Sequence, residues 1–256
     1  MAEVYRALDL ETAAFVALKI LRNSLAGDPA IVQRFSREAD VQARVRHNNV
    51  ATLLGTGVTQ TEQPYIVVEL LRGKTLRGVI KEEGRVGVRR AASYAWQMLQ
   101  GLSAVHAAGI LHRDLKPANI MLEPSPGPVE RVVLIDFGFA SVEGSAKLTQ
   151  QGTVVGSLRY IAPERLRGDP VDARSDLYAV GVMLYELLMG APPFEQVDDF
   201  ELVEAHLSHE PPPVDDAVPP ALEAVMRIAL AKQQDDRYRD AQTMAAAIEA
   251  AAKKLR

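Results

Sequence analysis

Over the first seventy residues the apolar positions fall in short β-rich runs broken by polar turns, with one helical interruption; beyond about residue 90 they recur mainly at helical spacing. Glu3 to Leu8 and Phe15 to Leu21 read as two strands joined by the polar turn Asp9-Leu10-Glu11-Thr12, which predicts a hairpin. Asp28-Pro29 then opens a helix to about Val45, because proline suits a first helical turn and Ile31, Phe35, Ala39 and Gln42 keep helical spacing. Strand character returns over Val50 to Val58 and Tyr65 to Leu70, across the polar separator Thr59 to Pro64. After Gly73 the pattern changes. Ala91 to Ala108 predicts a long amphipathic helix with Gly109 placed as its C-terminal cap. Short strands over Ile120–Leu122 and Val132–Ile135 flank the loop that contains Pro124, Pro126 and Pro128. Helices are expected at Ser175–Met189, Phe200–Leu207, Ala221–Lys232 and Asp240–Lys254. A β-rich first part and a helix-rich remainder predict an α+β, two-lobed architecture, with the connector near Leu70–Gly73.

Composition narrows this picture without redirecting it. The 256 residues, 48% of them apolar, can bury a sizeable core. The 29 basic and 33 acidic residues leave a net charge of −4, so no basic excess points to nucleic acid or to an anionic membrane surface. With no cysteine, disulfides and thiolate metal sites are excluded, which fits a cytoplasmic protein. The first residues carry charges where a signal peptide would need an apolar stretch. The most apolar segment, Leu177 to Met189, is too short to span a bilayer and contains Glu186, so it reads as a buried core helix.

Chemistry concentrates in His112-Arg113-Asp114-Leu115-Lys116-Pro117-Ala118-Asn119, a polar loop between apolar segments. There Asp114 can accept a proton from a hydroxyl nucleophile, Lys116 can neutralise a transferring phosphoryl group, and Asn119 can offer an oxygen to a hard cation. A lone Asp-Leu-Lys would more often be a surface turn. Asp136-Phe137-Gly138 follows seventeen residues after Asn119, at the end of the apolar run Val132–Ile135. By itself that tripeptide is weak, but the two motifs in this order are specific. Together they resemble the catalytic loop and metal-binding motif of the eukaryotic-like (Hanks-type) protein kinases.

The resemblance covers nearly the whole chain and implies a bilobal protein kinase fold: a small antiparallel sheet with one helix, over residues 1–70, and a larger, mainly helical lobe over 71–256. Val16-Ala17-Leu18-Lys19 is similar to the strand whose lysine holds the α- and β-phosphates of ATP, and Glu38 is the ion-pair partner it implies. Gly156 to Glu164 resembles the end of the activation segment, and Arg174-Ser175-Asp176 the anchor beneath the catalytic loop. On that basis Asp176 holds the His112-Arg113 turn and Glu164 pairs with Arg237. Asp114 is the catalytic base, and Asn119 and Asp136 bind Mg²⁺, with Mn²⁺ an alternative. Val68 is the gatekeeper, Glu69 to Leu71 meet adenine through their backbone, and Ala17 and Met121 close on its two faces; such apolar contact with backbone donors suits a flat heteroaromatic ligand. Lys116 points to serine/threonine specificity, hence to protein substrates presenting those hydroxyls. The Val171–Asp176 and Gly190–Phe194 segments look most like bacterial members.

Arg113 directly before Asp114 resembles kinases whose activation segment is ordered by phosphorylation, since a phosphate of about −1.5 to −2 charges pairs with such an arginine. Thr149 and Thr153 are the candidate acceptors, with Ser145 behind them, and autophosphorylation would proceed through a kinase–kinase dimer. Three departures stand out. Met1 to Ala7 resembles only the end of the family's G-x-G-x-x-G loop and the strand after it, with Ala2 where the third glycine is expected. The expectation is an N-terminally truncated kinase domain over 1–256; the alternatives are natural absence of the loop and a pseudokinase-like scaffold that phosphorylates poorly. Gln42 is polar where the helix usually packs on the Phe137 side chain, and Ser157 replaces a usual threonine while keeping its hydroxyl.

Overall fold

The computed structural model describes residues 2–127, 129–136 and 158–253. Four antiparallel strands open the chain: β1 (Ala2–Leu8), β2 (Phe15–Leu21), β3 (Leu53–Val58) and β4 (Pro64–Glu69), in the spatial order β1-β2-β4-β3. The expected hairpin forms, with Ala2 opposite Leu21 and Leu8 opposite Phe15. Its turn is set by the Asp9 carboxylate, which accepts from Glu11 N at 2.9 Å and Thr12 Oγ1 at 2.7 Å.

Between β2 and β3 lie a single helical turn, α1 (Asn23–Ala26), and the helix α2 (Pro29–Gln42). Asp28 caps α2, its carboxylate accepting from Ala30 N and Ile31 N, and Pro29 occupies the first turn, where a missing N–H costs nothing. The helix stops three residues short of the expected Val45. Gln42 lies buried at its end and its Nε2 donates to Ala51 O at 2.8 Å, which ties the helix terminus to the segment entering β3. The polar side chain is thereby satisfied inside the fold; Phe137 lies outside the described residues. Leu21, Phe35, Ala39 and Ile66 form the small core between α2 and the sheet. Residues 50–52 were expected to belong to β3 but run apart from it: Val50 bridges to Leu134, and Ala51 N donates to Leu134 O at 3.0 Å.

The chain leaves the first sheet at Glu69 and enters a second one at Lys74, so residues 70–73 form the connector. That sheet is β5 (Lys74–Thr75), β6 (Ile120–Glu123) and β7 (Arg131–Leu134), antiparallel in that order. Gly73 is required where the two meet. Its φ is +138°, and a Cβ there would lie 2.0 Å from the Leu122 carbonyl oxygen.

Seven further helices complete the described chain: α3 (Leu76–Glu83), α4 (Val88–Ala107), α5 (Pro163–Arg167), α6 (Ala173–Met189), α7 (Asp199–Ser208), α8 (Pro220–Ala229) and α9 (Ala241–Ala252). The sequence pattern identified α4 and α6 to α9 to within about four residues at each end. Gly109, with φ +74°, follows α4 as expected of a terminating glycine. Residues 177–188 of α6 are buried without exception, which explains why its apolar pattern has no polar face. It forms the centre of the large core with α4, α8 and α9, where Tyr94, Met98, Leu102, Tyr178, Leu184, Met226 and Met244 are nearly or wholly inaccessible. No helix among the described residues is long and apolar enough to cross a membrane. The architecture is α+β: an antiparallel sheet with its helix, then a mainly helical part.

Candidate active site

The alternation of β2 places Ala17 and Lys19 on one face of the first sheet, with Val68 opposite Ala17 and Ile66 opposite Lys19. Because α2 packs on that face, Glu38 meets the lysine: Lys19 Nζ donates to Glu38 Oε1 at 2.6 Å. The same ammonium donates to Asp136 Oδ1 at 2.8 Å, from a residue 117 positions away. Burial alone would lower the Lys19 ammonium, but the Asp136 and Glu38 carboxylates outweigh it and keep the group charged to higher pH than a free lysine. One cation thus sits between the strand, the helix and the end of the second sheet.

The loop between α4 and β6 carries a second cluster. Asp114 Oδ2 accepts from Lys116 Nζ at 2.7 Å and from Asn119 Nδ2 at 3.0 Å, while Asn119 Nδ2 also donates to Asp114 O at 2.8 Å. Pro117–Asn119 forms a 3₁₀ turn, which brings Asn119 back over Asp114. Ile135 N donates to Asn119 O at 3.0 Å, so the loop is bonded to the residue next to Asp136. A backbone hydrogen bond and the β6–β7 pairing beside it therefore join the two clusters.

Both loops are held in sparsely populated backbone conformations. Arg113 has φ +64° and Asp136 φ +53°, in the left-handed region that side chains other than glycine avoid. Asp176, at the start of α6, holds the first of them. Its Oδ2 accepts from His112 N at 2.9 Å and from His106 Nε2 at 2.8 Å, and its Oδ1 accepts from Arg113 N at 3.0 Å. Burial would raise this carboxyl, yet His106 and the His112 N–H outweigh burial and hold it below the usual range. Burial also lowers the pKa of His112, keeping that imidazole neutral under the loop.

Glu164 and Arg237 form a bidentate pair, Nη1 to Oε1 at 2.9 Å and Nη2 to Oε2 at 2.8 Å, with side chains 3% and 0% exposed. Burial pushes the Glu164 carboxyl up, but Arg237 and the Ser175 hydroxyl outweigh this and leave it lowered. Val68, Glu69, Leu71, Ala17 and Met121 are all half-buried around the connector and the two sheets. Thr149 and Thr153 lie outside the described residues, as do Phe137, Gly138 and Ser157.

Three polar groups, two at this site and one beyond it, escaped the sequence reading. His106, on the last turn of α4, shares the Asp176 carboxylate. Arg165 on α5 donates to the Arg113 carbonyl. Glu186, noted only as an interruption of an apolar helix, is 2% exposed; it accepts from Arg77 at 2.9 Å and from the Tyr160 hydroxyl at 2.6 Å. That bond ties α6 to the stretch just before α5. A charge inside an apolar helix was the available signal, since such a group must find partners.

The donor set suits a hard divalent cation. Asp136 and Asn119 offer oxygen, Asn119 uses its amide N–H₂ towards Asp114, and oxygen ligands completed by water or phosphate are what such an ion takes.

Residues 1–247 match the family described as protein kinase domain. A probable serine/threonine-protein kinase of Corynebacterium efficiens is 39% identical over 97% of this chain and 39% of its own length. Serine/threonine-protein kinase pkn3 of Myxococcus xanthus is 38% identical over 100% and 48%, and PknB of Mycobacterium tuberculosis (strain CDC 1551 / Oshkosh) 39% over 96% and 40%. The chain spans less than half the length of these relatives. With a family match over nearly all of its length, and with bacterial serine/threonine kinases as its relatives, the chain belongs to the protein kinase domain family.

Proposed function

We propose that this domain transfers the γ-phosphoryl group of ATP to serine or threonine hydroxyls of proteins, with Mg²⁺ as its metal and Mn²⁺ as a substitute. The observation that carries the reading is the Lys19 ammonium bound at once to Glu38 and Asp136, next to a loop in which Asp114, Lys116 and Asn119 converge. In this reading Lys19 orients the α- and β-phosphates, and Glu38 keeps its ammonium in place. Asp114 accepts the hydroxyl proton, and Lys116 offsets charge on the phosphoryl oxygens. Asn119 and Asp136 hold the metal, which supplies charge neutralisation at the phosphates when bound. The base lies between Ala17 and Met121 beside Val68, with the Glu69–Leu71 backbone along its edge. Positioning and electrostatics supply most of the rate, since little covalent chemistry falls to the protein.

The smaller unit over residues 1–70, the larger over 71–256, a cytoplasmic location, and autophosphorylation at Thr149 or Thr153 between two kinase copies belong to the same reading. The structural roles of Asp176 and of the Glu164–Arg237 pair complete it. Transfer of radiolabel from ATP with Mg²⁺ to the protein itself and to a generic protein substrate tests it, beside Asp114→Asn. Incorporation by the parent and its loss in the variant is the expected result. Nucleotide binding without incorporation by either overturns the enzymatic reading in favour of a scaffold. Phosphopeptide mapping that finds Thr149 and Thr153 empty in active protein removes the autophosphorylation part.

A further inference from the structure

The connector between the two sheets, residues 70–73, has no secondary structure of its own, yet a backbone that recognises a base must be held to a fraction of an ångström. We infer that Arg131, on β7, is the positioning residue that fixes this connector for nucleotide binding, an inference that rests on the kinase reading above.

Its guanidinium reaches three elements. Nη2 donates to both oxygens of Glu69, at 3.2 and 3.1 Å, at the connector's first end. Nη1 donates to Glu123 Oε2 at 3.1 Å, and Glu123 Oε1 in turn accepts from Arg72 N at 3.1 Å, near the other end. Nε donates to Asn48 O at 2.8 Å, in the segment that leaves α2, the helix bearing Glu38. Glu69 itself is fixed further by Thr52 N, which donates to its Oε1 at 2.8 Å. One planar fork thus binds two carboxylates and a carbonyl, and the two carboxylates bracket the connector. Lysine, with a single nitrogen, cannot span that set.

The site is sheltered. The side chains of Arg131, Glu69 and Glu123 are 24%, 24% and 21% exposed, so the ion pairs are screened far less than surface ones. Register explains the placement: Glu123 on β6 is the direct partner of Arg131 on β7, so the second sheet presents both to the connector. Without the guanidinium, Glu69 and Glu123 would be two sheltered carboxylates sharing one place, and their repulsion would push the connector's two ends apart. Arg131 touches neither the proposed metal ligands nor Asp114, so its effect should fall on nucleotide binding and spare the transfer step.

The experiment compares parent, Arg131→Met, Arg131→Lys and Glu123→Gln. It measures MgADP binding by calorimetry, KM for ATP and for a protein substrate, kcat, and the urea midpoint. For Arg131→Met the expected result is a rise of about tenfold in the MgADP dissociation constant and in KM for ATP, with KM for the protein substrate and kcat within about threefold of the parent. Arg131→Lys should recover only part of the loss, and Glu123→Gln should show a smaller loss of the same kind. Adding Glu123→Gln to Arg131→Met should recover part of the loss, because it removes one of the two carboxylates left repelling each other. Should Arg131→Met fail to fold, Glu123→Gln carries the test, since it leaves the Arg131–Glu69 pair in place. Folded variants that bind MgADP within about twofold of the parent overturn the inference, as does a parallel loss in every kinetic constant. A parent that binds MgADP but transfers no phosphate refutes the kinase reading while the binding comparison still decides the role of Arg131. A parent that does not bind MgADP overturns both.

Discussion

Replacing Arg237 by methionine removes the guanidinium and leaves the Glu164 carboxylate inside the protein with the Ser175 hydroxyl as a remaining partner. The native arginine makes two bonds to Glu164 and further bonds to the carbonyls of Ala231 at 2.7 Å, Arg174 at 3.3 Å and Lys232 at 3.4 Å. Breaking one side of a pair buried to this degree costs about 3–5 kcal/mol, because a charge is left without compensation. For a domain of this size that corresponds to a fall in Tm of roughly 6–20 °C. Urea unfolding at pH 7 of the parent, Arg237→Met, Glu164→Gln and the double variant measures it. The double variant should be destabilised by much less than the sum of the singles, since it leaves no buried charge behind. The pH dependence has a fixed sign. The folded Glu164 carboxyl lies below its unfolded value, so the pair's contribution is full above about pH 5 and is lost as pH falls through the lowered folded value. In Arg237→Met burial instead raises that carboxyl, so the cost of the substitution should shrink as pH falls from 7 and the group takes up a proton. A loss below about 1 kcal/mol, the worth of a surface pair, or strict additivity of the two substitutions, would refute the argument.

Lys19→Met should reduce phosphoryl transfer by roughly 10²–10³-fold while lowering the urea midpoint less than Arg237→Met does, because Asp136 is half exposed and only Glu38 is left largely buried without its cation. His206 is buried between Tyr178, whose hydroxyl lies 2.8 Å from its Nδ1, and the edge of Phe194, and burial with the nearby Lys232 charge lowers it to about 3. Since the unfolded chain then takes up a proton near pH 6.5 that the folded one refuses, His206 should contribute a fall in stability of about 1.4 kcal/mol per pH unit below 6.5, and His206→Gln should reduce the slope by that amount in urea titrations at pH 4–7, leaving the contribution of the buried His112. At Arg113, with φ +64°, the glycine variant should be about 1 kcal/mol more stable than the alanine variant, since both lack the guanidinium but only alanine keeps a Cβ in the left-handed region. Equal urea midpoints for those two would mean that the turn is not strained.

The larger elements were legible because their signals are local. Asp28 and Pro29 announce α2, Gly109 ends α4, and a run of apolar residues with no polar face foretells a helix buried on every side. The short helix α3 was overlooked although its signs are present: Thr75 caps it by accepting from Gly78 N at 3.1 Å, Leu76, Val79 and Ile80 are buried at helical spacing, and Gly84 ends it. Eight residues with a glycine inside give too weak a periodicity to stand out. The five-residue α5 is shorter than any window that periodicity can use, and its local marks are Pro163 at its start and Gly168 just past its end. Boundaries shifted where tertiary bonds decided them, as when Gln42 closes α2 by bonding Ala51.

The site divides along the same line. Asp114, Lys116 and Asn119 lie within six residues, and their convergence needs only one loop and one 3₁₀ turn. Lys19, Glu38 and Asp136 come from a strand, a helix and a distant loop, and no spacing rule joins them; only resemblance to a family proposed that set. Arg131 had neither advantage. It is a lone arginine in a strand, and its partners lie 8, 62 and 83 positions away. Yet the same physics selects both cations. A charge withdrawn from water persists only where carboxylates and carbonyls converge on it. Lys19 and Arg131 each bridge two carboxylates between the first sheet or its connector and the second sheet. The first gathers the groups that would face phosphate, the second the groups that frame the connector. Two ion-pair junctions between the same two parts of the fold resist sliding and rotation where one would act as a pivot, so loss of Arg131 should loosen the connector while the Lys19 junction holds.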